Sequence, residues 1–225
     1  MPQVGVSVVE VFERLGHSVD YPRNQTCCGQ PAFNGGFHPE AREVAATFLN
    51  AFRDSRDPVV VPSGSCAAMV KVFYPELFAG TAREAEAKAL GARTWEFSTF
   101  IVEQLGVTDL GATFAKKVTF HDGCHGLREL GIQSAPRRLL EKVRGLQLAE
   151  MKECATCCGF GGSFAVKYAP ISTAMAEVKC KSAYASGAEV IVSNDPSCLM
   201  QINGYAEKQG MPIQCLHLAE VLNSR

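Results

Sequence analysis

Two Cys-Cys-Gly tripeptides occur in this chain, at 27–29 and 157–159, which are 130 residues apart. Adjacent cysteines are rare, and the cysteine thiolate is the form that binds metals and attacks disulfides. A further cysteine follows each doublet directly after a strand-like apolar run, Cys66 in the first half and Cys198 in the second. The chain is therefore expected to contain two copies of one unit, each with a cysteine cluster suited to metal or redox chemistry.

The second half offers a complete set of four thiolates from three separate loops: Cys124, Cys157, Cys158 and Cys198. Four thiolates suit tetrahedral zinc or an iron–sulfur cluster. The paired Cys-x-x-Cys knuckles of structural zinc sites are absent, since Cys154-Ala-Thr-Cys157 has no partner in the first half. Glycines at 159, 161 and 162 would let the backbone approach inorganic sulfide. Spacing alone leaves iron–sulfur evenly balanced against the sum of zinc and free redox thiols.

The first half retains three cysteines: Cys27, Cys28 and Cys66. Three thiolates could hold a cluster with an open iron, or a zinc ion with His38 as the fourth ligand. A solvated residue at a helix start is the favoured interpretation of His38. In the second half, His125 is evenly balanced between a hydrogen-bond donor to the cluster and a packing role. Asp122 is expected to cap the helix that follows it.

The composition is that of an ordinary globular protein, with 47% hydrophobic and 20% charged residues. A net charge of −1 gives no reason to expect nucleic acid as a partner. No apolar run is long enough to span a bilayer and no secretory signal is visible, so a cytoplasmic location is expected. Cytosolic cysteines are more often metal ligands than disulfides. Cys180 and Cys215, which lack counterparts in the other half, are expected to be buried structural thiols.

The apolar pattern predicts an alternation of strands and helices. In the first half it predicts helices over 4–15 and 39–52, strands over 17–21 and 58–62, and a helix from 66 to 72. In the second half it predicts strands over 117–121, 146–151 and 189–193, and helices over 136–144, over 172–185 and from 198 onward. Such alternation predicts an α/β fold with two pseudo-repeated units, each a small, mostly parallel sheet flanked by helices.

We place the first unit at 1–110, with a helix-rich connector over 80–111, and the second unit at 111–225. Ligands of parallel sheets bind beyond the carboxyl ends of the strands. Cys66, Cys124 and Cys198 each fall just after a predicted strand, so the cysteine sites are expected at that edge.

The repeat is unequal at its start. An offset of 130 residues puts the first-half equivalent of Cys124 at about position −6, before Met1. The strand that would carry this cysteine is missing as well. The sequence therefore predicts that the chain lacks the first strand and first cysteine of its N-terminal unit, through a misassigned start, a truncation or a natural loss.

The stretches around the cysteines resemble those of known proteins. They are Gln-Thr-Cys-Cys-Gly-Gln-Pro-Ala-Phe-Asn at 25–34, Pro-Ser-Gly-Ser-Cys-Ala-Ala-Met-Val at 62–70, His-Asp-Gly-Cys-His-Gly-Leu-Arg-Glu-Leu-Gly at 121–131 and Cys-Cys-Gly-Phe-Gly-Gly-Ser-Phe-Ala-Val at 157–166. They resemble the cysteine-rich CCG domain found in heterodisulfide reductase and in the iron–sulfur subunit of glycolate oxidase. More closely, they resemble the lactate utilization protein A family, over essentially the whole chain.

The resemblance implies an iron–sulfur electron-transfer subunit of a cytoplasmic complex that oxidises L-lactate to pyruvate. It implies two partner subunits, one of them ferredoxin-like. A cluster, expected to be 4Fe-4S, is placed on the four cysteines of the second half, and part of a second site on the three of the first. The alternative is a zinc-stabilised scaffold or regulatory subunit without redox turnover. No dinucleotide or flavin motif is present, so catalytic residues are unassigned.

The chain departs from the wider CCG pattern at two equivalent positions. That pattern ends in Cys-x-x-Cys, but here the first of the pair is Ser63 in one half and Asp195 in the other. The five-cysteine arrangement of the non-cubane clusters of heterodisulfide reductase is therefore incomplete in both halves. A four-cysteine cluster is expected in the second half alone.

Overall fold

The computed structural model describes residues 1–225 and confirms the α/β class. The strands are β1 Val59–Val61, β2 Thr94–Glu96, β3 Lys117–His121, β4 Gln147–Leu148, β5 Val190–Ser193 and β6 Gln214–His217. They form two parallel sheets, one of order β1-β2 and one of order β4-β3-β5-β6. The central strand β5 is buried on both faces and is a continuous apolar run, the pattern expected inside a parallel sheet.

Helices flank both sheets. In the first half they are α1 Pro2–Arg14, α2 Gln30–Asn34, α3 His38–Ala51, α4 Gly64–Ala68, α5 Tyr74–Leu77, α6 Glu84–Ala92 and α7 Phe97–Thr99, with π-helical turns at Met69–Phe73 and Phe100–Gln104. In the second half they are α8 Cys124–Leu130, α9 Ser134–Leu140, α10 Ser163–Lys167, α11 Ala169–Ala185, α12 Pro196–Lys208 and α13 Leu218–Asn223. None of these helices is both long and apolar enough to cross a membrane.

The strand predicted over 17–21 does not form. In the second half the matching segment is β4, which is only two residues long and pairs with β3 alone. The first sheet has no strand in the position that β3 occupies in the second. A single strand without a neighbour leaves its backbone groups unpaired, so the segment at 17–21 remains irregular.

The predicted helix-rich connector over 80–111 contains a strand that the sequence analysis missed. This strand, β2, pairs in register with β1, so that Val59 lies opposite Thr94 and Val61 opposite Glu96. Its residues, Thr-Trp-Glu, carry no aliphatic run, and the strand is recognisable only through its pairing. β2 gives the first half a counterpart of β6, the edge strand of the larger sheet.

One hydrophobic core spans both halves of the chain. It joins Val11 and Phe12 of α1 and Phe97 of α7 to residues of the larger sheet and its helices, including Val118, Val192, Leu139 and Leu222. Two smaller cores lie under α3 and under α11 and α12. The halves are therefore fused through apolar packing, and this fixes the relative placement of their cysteine-bearing loops.

Candidate metal centre

The second cysteine cluster is defined as Cys124, Cys157, Cys158 and Cys198. The Cys157 sulfur accepts from the thiols of Cys124 and Cys158, and the sulfur atoms of Cys158 and Cys198 lie within 4.8 Å of one another. Cys124 is the first residue of α8 after β3, and Cys198 lies in the first turn of α12 after β5. The doublet lies in the loop between β4 and α10. Four thiols from three loops thus meet beyond the carboxyl ends of the strands.

The doublet loop of this cluster turns on Gly159. Its φ of 87° is a left-handed conformation, and an added Cβ would lie 2.6 Å from the carbonyl oxygen of Ser172. The Gly159 amide donates to Cys157 Sγ at 3.4 Å, and the Ser172 hydroxyl donates to the Gly159 carbonyl at 2.8 Å. Glycine is required here because both the backbone angle and the close approach exclude a side chain.

His121 adds an imidazole that the sequence analysis left without a role. It is fully buried at the end of β3, and its ligand atom lies within 4.8 Å of the sulfur atoms of Cys158 and Cys198. Its Nδ1 is 3.3 Å from the carbonyl oxygen of Cys154, whereas its Nε2 has no hydrogen-bond partner. A buried polar atom without a partner is costly. Burial lowers the pKa of His121 to about 3, so this ring is neutral.

A buried lysine lies behind the same cluster. Lys179 of α11 is fully buried and donates to the carbonyl oxygens of Glu153 and Cys154, the latter at 3.2 Å. Burial lowers the pKa of Lys179, and the nearby thiols of Cys158 and Cys154 oppose that shift. A buried ammonium needs compensation by negative charge, which a thiolate-rich site supplies.

The thiols of the second cluster share protons unequally. Hydrogen bonds from Cys124 and Cys158 lower the pKa of Cys157 to about 2, so this sulfur carries the negative charge. The same hydrogen bonds, together with burial, raise the pKa of Cys124 and Cys158. A metal binds deprotonated sulfur, so the low pKa of Cys157 suits a ligand position.

The first cysteine cluster, defined as Cys27, Cys28 and Cys66, repeats this geometry with three thiols. Cys28 hydrogen-bonds to Cys27 and to Cys66, and the Gly29 amide donates to Cys27 Sγ at 3.4 Å. The hydrogen bond from Cys28 lowers the pKa of Cys27 to about 6, and that of Cys66 is lowered for the same reason. The Tyr74 hydroxyl donates to the Cys28 carbonyl at 2.9 Å.

The two clusters differ in their surroundings. Gly29 approaches Ala41 and Val44 of α3 in the way that Gly159 approaches Ser172 and Met175 of α11, an offset of 131 residues that places Phe48 where Lys179 stands. Phe48 is buried in the apolar core beneath the first cluster. The second cluster therefore lies beside a buried positive charge, Lys179, and an imidazole, His121. The side chain that matches Lys179 at the first cluster is apolar. The second donor set suits an iron–sulfur cluster or zinc, because all of its ligand atoms are sulfur or nitrogen.

The chain is similar to proteins of a known family. A family model described as "Cysteine-rich domain" (CCG) matches residues 1–71 and 118–203, which include both clusters. Lactate utilization protein A of Geobacillus kaustophilus (strain HTA426) is 47% identical over 224 residues, covering 99% of this chain and 93% of that protein. The chain belongs to the lactate utilization protein A family.

Other members of the lactate utilization protein A family match over the same extent. The protein of that name from Geobacillus thermodenitrificans (strain NG80-2) is 46% identical, covering 99% of this chain and 92% of that protein. The one from Macrococcus caseolyticus (strain JCSC5402) is 43% identical, covering 99% of this chain and 91% of that protein. The family resemblance drawn from the cysteine motifs is thereby confirmed.

His38 and His125 each contact residues outside the cysteine clusters. His38 is exposed and stacks on Phe33 with ring centroids 5.0 Å apart, in line with the favoured interpretation of a solvated residue. His125 lies 3.4 Å from Glu129 on its own helix and packs edge-on against Phe73. Of the two histidines that flank Cys124, His121 is the one whose ring nitrogen groups with the sulfur atoms of Cys158 and Cys198.

Asp122 does not cap α8, which contradicts its predicted role. Its carboxylate is buried and paired with the guanidinium of Arg137 at 2.8 Å, and Arg137 also binds Glu150 at 2.6 Å. The N-cap position belongs to Gly123, which has no side chain. Arg137 lies 13 residues beyond Cys124 on a different helix, so only the tertiary fold brings it here. Cys180 and Cys215 are buried in the core beneath the second cluster, as predicted.

Proposed function

We propose that this chain is an iron–sulfur electron-transfer subunit that acts in the oxidation of L-lactate to pyruvate. The observation that carries the proposal is the convergence of four thiols with a buried, unpartnered imidazole nitrogen at the second cluster. The link to lactate comes from the relatives, whose names describe proteins of lactate utilization.

The residues present fit an iron–sulfur cluster. Cys124, Cys157, Cys158 and Cys198 would hold it, and His121 Nε2 would be free to occupy a ligand position, because the proton of the neutral ring is on the Nδ1 that faces the Cys154 carbonyl oxygen. Such a cluster accepts and releases single electrons at a potential set by its net charge and hydrogen bonds. The chain supplies burial, the Lys179 ammonium and the Gly159 turn. Together these hold the sulfur atoms in place and limit access of water.

The first cluster is proposed as a second, incomplete site. Cys27, Cys28 and Cys66 would supply three ligands, and a fourth would have to come from elsewhere. Cys27 is exposed, so this site is open to a partner or a small molecule. We further propose a cytoplasmic location and two partner subunits, one of them ferredoxin-like. A partner is needed because a chain without a flavin or dinucleotide motif requires another protein to accept the hydride equivalent of lactate.

Anaerobic purification followed by analysis of iron, acid-labile sulfide and zinc tests the proposal. We expect brown protein with about four iron and four sulfide per filled four-cysteine site and an electron paramagnetic resonance signal on reduction. Colourless protein with stoichiometric zinc and no iron after anaerobic reconstitution would instead establish the zinc-stabilised scaffold.

Cys198→Ser and Cys215→Ser form a matched pair for the same test. Both cysteines are buried in the same hydrophobic core, but only Cys198 belongs to the second cluster, where its sulfur atom lies within 4.8 Å of that of Cys158. Cys198→Ser is expected to abolish or strongly reduce iron retention at the second cluster, since the serine hydroxyl is a poorer ligand than a thiolate for the iron of an iron–sulfur cluster. Cys215→Ser should retain wild-type iron, and equal iron loss in both variants would count against the assignment.

A further inference from the structure

Asp195 occupies a junction between the two cysteine clusters. It is the N-cap residue of α12, the helix that carries Cys198, yet its side chain does not cap that helix. The carboxylate turns instead toward the other half of the chain. Its Oδ1 accepts hydrogen bonds from the hydroxyls of Ser63 at 2.8 Å and of Ser65 at 2.7 Å. Asp195 is only 2% exposed, so these bonds are made away from water.

The serines lie at the start of the helix that carries a first-cluster cysteine. Ser63 is the N-cap of α4 and accepts from the Cys66 amide at 3.4 Å, while the Ser65 amide points to Asp195 Oδ1 at 3.4 Å. A negative charge at a helix N-terminus is stabilised by the exposed amides and the helix dipole. Asp195 of the second half of the chain thus caps α4, a helix of the first half.

The other carboxylate oxygen faces the helix that carries Cys124. A Cβ added to Gly123, the N-cap of α8, would lie 2.3 Å from Asp195 Oδ2. A Cβ on Gly64 of α4 would lie 2.9 Å from the Cα of Gly126 and 3.2 Å from Asp195 Oδ2. The glycines let α4 and α8 meet at backbone contact around one carboxylate. The N-terminal ends of three cysteine-bearing helices therefore share Asp195.

We propose that Asp195 is a positioning residue common to both cysteine clusters. Its hydrogen bonds hold the start of α4 against the start of α12, and its other oxygen lies against Gly123 at the start of α8. Its charge acts on both Cys66 and Cys124. Ser63 and Asp195 stand where the wider CCG pattern has a cysteine in each repeat. In this chain the two positions form a hydrogen-bonded pair that joins the repeats.

Hydrogen exchange on the metal-free full chain tests the positioning role independently of any cluster. Asp195→Ala removes the acceptor, and we expect amide exchange in α4 to accelerate about tenfold or more, the loss expected for a charge-assisted hydrogen bond. Exchange in α8 should accelerate as well, because α8 packs against α4 and against the same carboxylate. Asp122→Ala is the matched control, because Asp122 is equally buried but its carboxylate pairs with Arg137 within the second half. It should accelerate exchange in the second half alone. Acceleration confined to α12 in Asp195→Ala would overturn the proposal.

Asp195→Asn separates charge from shape, because asparagine keeps an acceptor oxygen for the serines. This arm rests on the proposed function and uses anaerobically reconstituted protein with redox titration followed by electron paramagnetic resonance. Loss of the negative charge should make every cluster signal easier to reduce, with a positive shift at the second cluster and at any filled first cluster. Unchanged potentials in folded Asp195→Asn would overturn the electrostatic part. Failure to bind iron in the wild type would refute the proposed function and leave the exchange test to decide the role of Asp195.

Discussion

The second cluster combines four cysteines with two completely buried basic side chains, His121 and Lys179. The cysteines are recognisable because the doublets repeat and because each remaining cysteine follows a strand. His121 and Lys179 are not, since one is an ordinary strand residue and the other an ordinary helix residue in the sequence. Their importance comes from complete burial beside sulfur, which depends on tertiary packing.

Lys179 is expected to raise the reduction potential of a cluster held by the second set of cysteines. Lys179→Met keeps the length of the side chain and removes a buried positive charge next to thiolates. A cluster without that charge is harder to reduce, so its midpoint potential should move in the negative direction. Redox titration followed by electron paramagnetic resonance measures the shift.

Lys181→Met is the control for this substitution. Lys181 lies two residues further along α11, is exposed and pairs with Glu177. A surface charge of this kind is screened by water, so we expect the potential to stay at the wild-type value. Equal shifts in the two variants, or none in Lys179→Met, would show that the buried ammonium does not influence the cluster.

At the scale of the elements, the two edge strands end in equivalent capping residues. Glu96 closes β2 and accepts hydrogen bonds from the amides of Ser98 and Thr99, while His217 closes β6 and accepts from the amide of Ala219. This equivalence cannot be recognised from the sequence, because the two caps are different residue types. The short strand β2 is not predicted either. The longer apolar strands and helices are predicted from their periodicity, namely β3, β5, α1, α3 and α11.

Glu96 is expected to make the folded state less stable as the pH rises. Burial raises its pKa to about 7, above the value near 4.5 that it has when exposed. The unfolded chain therefore loses the proton first, and the stability linked to Glu96 is present below pH 4.5 and is lost between pH 4.5 and 7. The loss amounts to about 3 kcal/mol, since a tenfold change in protonation is worth about 1.4 kcal/mol.

Glu96→Gln should remove this dependence while keeping an oxygen that caps α7. Urea unfolding of the metal-free, reduced protein at pH 5 and pH 8 measures the difference, with Glu43→Gln on the exposed face of α3 as a control. The variant should gain stability relative to the wild type as the pH rises, and the control should not. His217 acts in the opposite sense, because burial lowers its pKa to about 4 and its contribution is lost as the pH falls below 6.5.

For the whole molecule, the sequence predicts two repeats but not the way in which they are joined. Periodicity within each half identifies its helices and strands, and the paired cysteines reveal the duplication. No local sequence pattern predicts that α1 packs on α13 at the other end of the chain, or that Asp195 accepts a hydrogen bond from Ser63. These contacts arise from burial of apolar surface between distant segments, which no local pattern encodes.

The shared core predicts that neither half folds alone. A fragment of residues 1–110 would expose the faces of α1 and α7 that carry Phe12 and Phe97, both almost completely buried in the whole chain. Burying one such aromatic side chain stabilises the fold by roughly 2–3 kcal/mol, and several are lost together, which exceeds the stability expected of so small a unit. Fragment 1–110 should therefore show no cooperative urea transition, and fragment 111–225 should be destabilised or insoluble.

Co-expression of the two fragments should restore a folded complex, because every contact is then present. A full chain cut at a protease site inserted in the irregular segment at 106–111 is the control, and it should keep the circular dichroism of the intact protein in the absence of urea. A well-dispersed nuclear magnetic resonance spectrum from 1–110 alone would contradict the expectation. It would mean that the first cluster can be built without the second half, although its helix α4 is capped by Asp195 from that half.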